Sequence, residues 1–302
     1  MIILVTGSTG FVGVRLLNKL KTFGYELRVI SRKPVPDVET FVLDFNESNI
    51  PSEALSGVDT IFHLAGYAHD VSSNRSSKDL YYSINVDSTA QLAKLAVENN
   101  VKKFIYLSSV KAGCRSINGR CISEVDEGSP IGLYGKTKRE GELKLMRIAG
   151  KHMHVSIIRS SLVYGPNVKG NLHLMFSGIK RGWFPPLPET GNRRSMIHVD
   201  DLVRALLFVK NEKLTNGEIF NLTDGQLYSS RQIYEAMCHA LDKPIPKWNV
   251  PKFCFTLLSL TSSNLKFKIE KLLGDECYSS VKIKSLGFIP KKSIMEINET
   301  SY

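Results

Sequence analysis

Through the first half of the chain, short apolar runs alternate with stretches whose apolar positions recur every three or four residues. IILVT (2–6), ELRVIS (26–31), TFVLD (40–44), VDTIFHLA (58–65), KFIYLSS (103–109) and HVSIIRS (154–160) read as strands, bounded by turn residues. Between them, FVGVRLLNKLKTF (11–23), DLYYSINVDSTAQLAKLAVEN (79–99) and YGKTKREGELKLMRIA (134–149) carry helical periodicity. The strands are apolar throughout rather than alternating, the pattern of a parallel sheet covered on both faces. The expected class is α/β, a doubly wound parallel sheet of the Rossmann type.

After about residue 165 the pattern loosens into Pro- and Gly-rich loops such as WFPPLPETGNRR. Helical segments follow near 171–181, 200–210, 230–241 and 251–261, with a strand near 218–222. This predicts a sheet domain over 1–165 and a smaller, mostly helical lobe over 166–302, with about 197–222 returning to the sheet. Such a lobe closes a cleft at the carboxyl ends of the strands, where ligands bind in these folds.

Composition narrows the picture. The 302 residues carry a net charge of +11, and the excess is uneven. Residues 1–150 hold 19 Lys+Arg against 16 Asp+Glu, the remainder 21 against 13. No aromatic–basic interleaving accompanies the charge, so small phosphate-bearing ligands explain it better than nucleic acid. MIILV is too short for a targeting signal and FCFTLLSL (253–260) too short to span a bilayer, so a cytoplasmic protein without stable membrane insertion is expected. The basic, partly apolar stretch 251–272 reads as a lobe helix with a lysine-rich solvent face, and contact with a membrane surface is its alternative reading. Five cysteines without a C-x-x-C pair read as reduced thiols, and HMH (152–154) as a polar lead-in to a strand rather than a metal site.

Directly after the first strand comes TGSTGFVG, in which Gly7, Gly10, Phe11, Val12 and Gly13 open a helix. A pyrophosphate sits on such a helix N-terminus only where side chains are absent, so the turn reads as a dinucleotide cradle. At the end of the second strand, where an acid would hydrogen-bond an NAD ribose, the chain has Ser31 and Arg32 followed by Lys33. A hydroxyl donor and a guanidinium suit a 2′-phosphate, so NADP(H) is expected in preference to NAD(H).

Tyr134 and Lys138 lie four apart, on one helix face. A free phenol, with a pKa of about 10, is a poor base at neutral pH. A neighbouring ammonium favours the phenolate, which expects Tyr134 to be drawn toward working pH and to handle a hydroxyl proton. Ser109, ending the fifth strand, can hold the same oxygen. Arg194 suits a diphosphate through its planar fork, and Asp200 and Asp201 read as a helix N-terminus.

TGSTGFVG, HLAG (63–66), Asn85-Val86, FIYLSSVKA, YGKTK and RSSLVYGP together resemble an extended short-chain dehydrogenase/reductase over nearly the whole chain. SSVKA, YGPNVKGN and NRRSMIHVDDL are most similar to the branch acting on UDP-sugars, which contains UDP-hexose 4-epimerases and UDP-4-keto-sugar reductases of the UDP-N-acetylquinovosamine dehydrogenase type. The resemblance implies catalytic Ser109, Tyr134 and Lys138, with Asp44 and Phe45 near the adenine. It implies Leu64, Ala65 and Gly66 under the cofactor, Ser160 and Ser161 beside the nicotinamide, and Asn171 and Arg194 near the nucleotide diphosphate. It also implies a homodimer through helices 79–99 and 134–149.

Leu162 and Ala68 stand where galactose epimerases carry Asn and Lys, and the Asp-Glu of dehydratases is absent after Ser109. With the cations after the second strand, this expects a reductase of a UDP-4-keto-6-deoxy-N-acetylhexosamine in surface-polysaccharide synthesis. The alternative is a UDP-glucose or UDP-N-acetylglucosamine 4-epimerase with tightly held NAD. A non-catalytic dinucleotide sensor is disfavoured, because Tyr134, Lys138 and Ser109 are all present.

Overall fold

Each predicted apolar run of the first half becomes a strand, and all six pack side by side. The computed structural model describes residues 1–47, 49–68, 75–115, 119–126 and 128–296. In chain order the larger elements are β1 (Ile2–Thr6), α1 (Phe11–Lys21), β2 (Glu26–Ser31), β3 (Glu39–Val42), β4 (Val58–His63), α2 (Arg75–Tyr82), α3 (Ser88–Glu98) and β5 (Lys103–Ser109). Then come α4 (Gly132–Ala149), β6 (His154–Ser160), β7 (Leu162–Tyr164), α5 (Asn171–Arg181), β8 (Arg194–His198), α6 (Val199–Asn211) and β9 (Glu218–Leu222). β10 (Leu227–Tyr228), α7 (Ser230–Ala240), α8 (Lys252–Thr261), α9 (Ser263–Leu273) and α10 (Val281–Ser285) complete the chain.

The main sheet has the order β3-β2-β1-β4-β5-β6-β9, and every neighbouring pair is parallel. Strand order reverses between β1 and β4, so the crevice at their carboxyl ends is the ligand-binding position of the fold. Both faces are covered. Ile3 and Val5 point into a core with Leu16 and Leu20 of α1 and Leu202 and Leu206 of α6. Leu4 points the other way, into a core with Leu92 of α3 and Leu145 of α4. Two buried faces per strand explain the unbroken apolar runs.

After β6 the chain leaves the sheet, builds much of the lobe, and returns as β9, which pairs with β6 from Ser156↔Glu218 to Ser160↔Leu222. The lobe has its own core around Tyr164, Leu172, Phe176, Leu187 and Met237, beside a small sheet of order β10-β8-β7.

The helix expected over 79–99 is interrupted. Ser83–Asp87 form a π-helical turn between α2 and α3, and the widened turn sets Asn85, fully buried, against α4. The expectation of five reduced thiols is also corrected: Cys121 is disulfide-bonded to Cys277, leaving Cys114, Cys238 and Cys254 free. The segment after β5 runs beside the chain following α9, with the Ile122 amide donating to the Cys277 carbonyl at 3.0 Å and Ser279 to Ile122 at 2.8 Å. A 156-residue separation carries no spacing signal from which to read that pair.

Candidate active site

The turn after β1 is built on contacts that only glycine permits. Gly7 has φ +70°, and a Cβ there would lie 2.6 Å from the Ala65 amide nitrogen. A Cβ at Gly13 would lie 2.0 Å from the Gly7 carbonyl oxygen, so α1 rests directly on the turn. Gly10 donates its amide to Gly7 O at 3.0 Å and caps α1 without a side chain, with Phe11 and Val12 following. Ser8 Oγ is buried in this turn with no hydrogen-bond partner among the described residues. Bare amides, an unshielded helix N-terminus and a spare hydroxyl fit a dinucleotide pyrophosphate.

Leu64 and Ala65 cross under the turn, donating their amides to the Thr6 carbonyl and hydroxyl, each at 3.2 Å. His63, which sequence reasoning missed, is fully buried between the Thr6 and Thr89 hydroxyls at 2.6 and 2.9 Å. Burial pushes its pKa down to about 3, so it joins β1 to α3 as a neutral group.

At the far end of the crevice, Arg32 and Lys33 are exposed at the tip of β2. Ser31 is buried, and its hydroxyl donates to the Lys33 carbonyl. A short polar side chain at a strand end readily closes such a local turn. Asp44 accepts from the Asn46 amide at 2.9 Å, and Phe45 stands edge-on to His63 with ring centroids 6.3 Å apart.

Tyr134, Lys138 and Ser109 converge where β5 meets α4. Tyr134 is half-buried and hydrogen-bonded to Ser109, whose Oγ also accepts from the Lys111 amide at 3.3 Å. Lys138 is buried, donates from Nζ to the Leu107 carbonyl at 2.8 Å, and lies 4.1 Å from the centre of the Tyr106 ring. Gly66 passes alongside: a Cβ there would stand 3.7 Å from Lys138 Nζ and 3.3 Å from Asn85 Oδ1. Asn85 in turn donates to Thr137 of α4 at 3.1 Å and accepts from the Tyr67 amide at 2.8 Å.

The electrostatics differ from the sequence expectation. Burial raises the Tyr134 pKa to about 12, and the hydrogen bond from Ser109 offsets this in part. Burial also pushes Lys138 down to about 7, with Glu142 pulling it back up. In the protein alone, then, the expected lowering of the phenol is outweighed by desolvation.

Glu142 is a second residue missed from sequence, although its spacing of eight from Tyr134 and four from Lys138 is a helical stripe. It is buried and accepts from Ser108 Oγ at 2.5 Å, and Arg159 of β6 forks onto it at 3.0 and 2.6 Å. Beside this pair, Ser160 Oγ points to the Ser108 carbonyl at 3.4 Å. Ser161 Oγ is buried with no partner among the described residues, a second spare hydroxyl on the crevice side of the sheet.

On the lobe side, Asn171 is exposed at the first turn of α5. Arg194 stands at the start of β8. It is buried, donates to the carbonyls of Lys271 at 2.7 Å and of Leu272 and Gly274 at 3.4 Å, and pairs with Glu276 at 3.1 Å. The guanidinium fork is satisfied by the end of α9. His198 accepts from the Asp200 amide at 3.1 Å as the cap of α6. Among the described residues no cluster of three or more His, Cys, Asp or Glu can hold a metal ion.

A family model described as the NAD dependent epimerase/dehydratase family matches residues 3–223. The chain belongs to that family. It is 29% identical to a UDP-glucose 4-epimerase of Vibrio cholerae, over 97% of this chain and 92% of the relative. It is 25% identical to an N-acetyl-alpha-D-glucosaminyl-diphospho-ditrans,octacis-undecaprenol 4-epimerase of Escherichia coli O157:H7, over 95% of this chain and 90% of the relative. In fold it matches a UDP-glucuronic acid 4-epimerase of Bacillus cereus solved in complex with NAD, with a TM-score of 0.78, 20% identity, and coverage of 98% and 95% of the two chains. The seven-stranded sheet with its glycine turn is therefore that of an NAD-dependent epimerase/dehydratase, an enzyme family that includes UDP-sugar epimerases.

Proposed function

We propose that this protein is a UDP-sugar 4-epimerase that keeps a nicotinamide dinucleotide bound between turnovers. The observation that carries the reading is the Ser109–Tyr134–Lys138 cluster at the carboxyl end of β5, in a chain similar over nearly its whole length to 4-epimerases. It revises the sequence expectation, which put the reductase first.

The dinucleotide, when bound, supplies a hydride acceptor and donor for the sugar C4. Gly7, Gly10 and Gly13 leave room for its pyrophosphate, Leu64, Ala65 and Gly66 form the floor, and Ser160 and Ser161 flank the reacting end. Tyr134 exchanges the C4 hydroxyl proton at its phenolic oxygen, and Ser109 holds the same sugar oxygen by hydrogen bond. Lys138, with a pKa near 7, is partly charged at neutral pH, and its charged form favours the phenolate. Two epimers can be made at one site only if the keto sugar turns over between hydride removal and return.

The second reading is a 4-ketoreductase of a UDP-4-keto-6-deoxy-N-acetylhexosamine using NADP(H). It is favoured by Arg32 and Lys33 at the end of β2, where an NAD-selective acid is missing. Mixing the protein with UDP-glucose or UDP-N-acetylglucosamine and no added cofactor tests the first reading by appearance of the C4 epimer. Stoichiometric loss of NADPH absorbance with the 4-keto sugar, and no epimer without cofactor, establishes the second. Tyr134→Phe is expected to abolish either activity by roughly a hundredfold or more. A cytoplasmic homodimer through the helical stretches 79–99 and 134–149 is part of the same proposal, and sedimentation velocity tests it.

A further inference from the structure

Seven large apolar side chains are exposed within the twenty residues from Trp248 to Phe267, with Trp248 and Phe253 each 63% exposed and Leu260 78%. Single exposed leucines are ordinary, whereas a contiguous group marks a surface that something covers. α8 is apolar on both sides. Phe255 is buried in the lobe core, and the opposite stripe of Phe253, Leu257 and Leu260, spaced i, i+4, i+7, faces solvent. α9 follows immediately. Ile269, Leu272 and Leu273 at its end pack on the lobe core, while Leu265 and Phe267 at its beginning stand outside. The hairpin is thus anchored at one end and apolar at its outer face.

The charges along this stretch are predominantly positive. Residues 245–273 carry Lys247, Lys252, Lys266, Lys268 and Lys271 against the single acid Glu270. Lys271 Nζ lies 5.9 Å from the Phe267 ring, so its stem runs along the apolar surface toward a polar tip. Apolar side chains rimmed by lysines match a bilayer interface, where the former enter the acyl boundary and the latter meet lipid phosphates. A second copy of the chain is a poor occupant, because a two-fold contact through this face would set one lysine rim against the other. Among the described residues no helix is long and apolar enough to cross a membrane, and α8 has only ten residues, so any bilayer contact it makes is along the surface.

We infer that α8 and α9 form a peripheral docking surface for anionic phospholipid bilayers. The inference rests on the hairpin alone and stands whichever sugar reaction the site performs.

Sedimentation with vesicles of phosphatidylcholine, with and without phosphatidylglycerol, tests it on the full chain. Binding is expected to the anionic vesicles, weakening as salt rises. Leu257→Ser with Leu260→Ser is expected to lower it roughly tenfold or more. Lys266→Glu with Lys268→Glu is expected to do the same on anionic vesicles only. In a Trp183→Phe background, Trp248 fluorescence shifts to the blue on binding. These side chains are exposed, so the variants are expected to keep the parent melting temperature and epimerase or reductase turnover. Absence of binding to both vesicle types overturns the inference, as does binding unchanged in the Leu257/Leu260 variant. So does a dimer that this variant dissolves while no vesicle binds.

Discussion

Arg159 grips Glu142 with two prongs, Nε to Oε1 at 3.0 Å and Nη2 to Oε2 at 2.6 Å, one helical turn along α4 from Lys138. Both side chains are buried, with 6% and 2% of their surface exposed. Glu142→Gln leaves the guanidinium without its counter-charge and is expected to cost about 3–5 kcal/mol of stability. Since Glu142 raises the Lys138 pKa, the same variant moves the alkaline limb of the pH–rate profile, where Lys138 loses its proton, to lower pH. Chemical denaturation and the pH profile of turnover check the two halves; a merely structural pair would leave the limb unmoved.

Lys138 gives stability a pH dependence of defined sign. Its pKa is about 7 in the fold against an ordinary value of 10.5 for the free side chain. Between those values the unfolded chain binds the extra proton, so stability rises as pH climbs from 7 toward 10.5 and the contribution is flat outside that window. Lys138→Met, which removes the group, is expected to flatten this slope and to abolish turnover. Urea midpoints measured at neutral and mildly alkaline pH for both proteins decide it.

Adding a methyl group at Gly13 tests the glycine turn. The new Cβ would sit 2.0 Å from the Gly7 carbonyl, so turn and helix must part. Gly13→Ala is expected to cost about 1–3 kcal/mol and to weaken dinucleotide binding. Gly24→Ala, with φ +70° and no atom within 4 Å, is the comparison that bears backbone strain alone. Equal dinucleotide affinity in the two variants would remove the turn from the proposed cofactor site.

The Cys121–Cys277 bond predicts a reductant-sensitive melting temperature. Replacing both residues by Ser is expected to lower stability by about 2–5 kcal/mol and to make it indifferent to reductant. Alkylation under native, non-reducing conditions should label at most the three remaining thiols, Cys114, Cys238 and Cys254.

What could be read ahead of the structure follows from range. β1, β2, β5 and β6 match their predicted bounds because both sheet faces are apolar, and a buried parallel strand needs no partner information to be recognised. The glycine turn and the Tyr134–Lys138 spacing are local, and local spacing survives folding. The Glu142–Arg159 pair, the Cys121–Cys277 bond and the clasp of Arg194 on the end of α9 join segments far apart in the chain, so nothing beside each residue announces its partner. Arg194 shows the same limit: a guanidinium has one chemistry, and only tertiary neighbours reveal that the carbonyls ending α9 accept from it. Tyr134 makes the same point for acidity, since the burial that sets its proton affinity is a property of the assembled crevice.

The late return of β9 to the edge of β6 binds the two halves of the gene into one inheritance. A polypeptide ended at residue 165 would expose the backbone of Ser156 through Ser160 as an unpaired sheet margin, free to recruit a stranger's strand. Evolution can therefore vary the lobe's loops, yet cannot detach the lobe without baring the margin of the sheet.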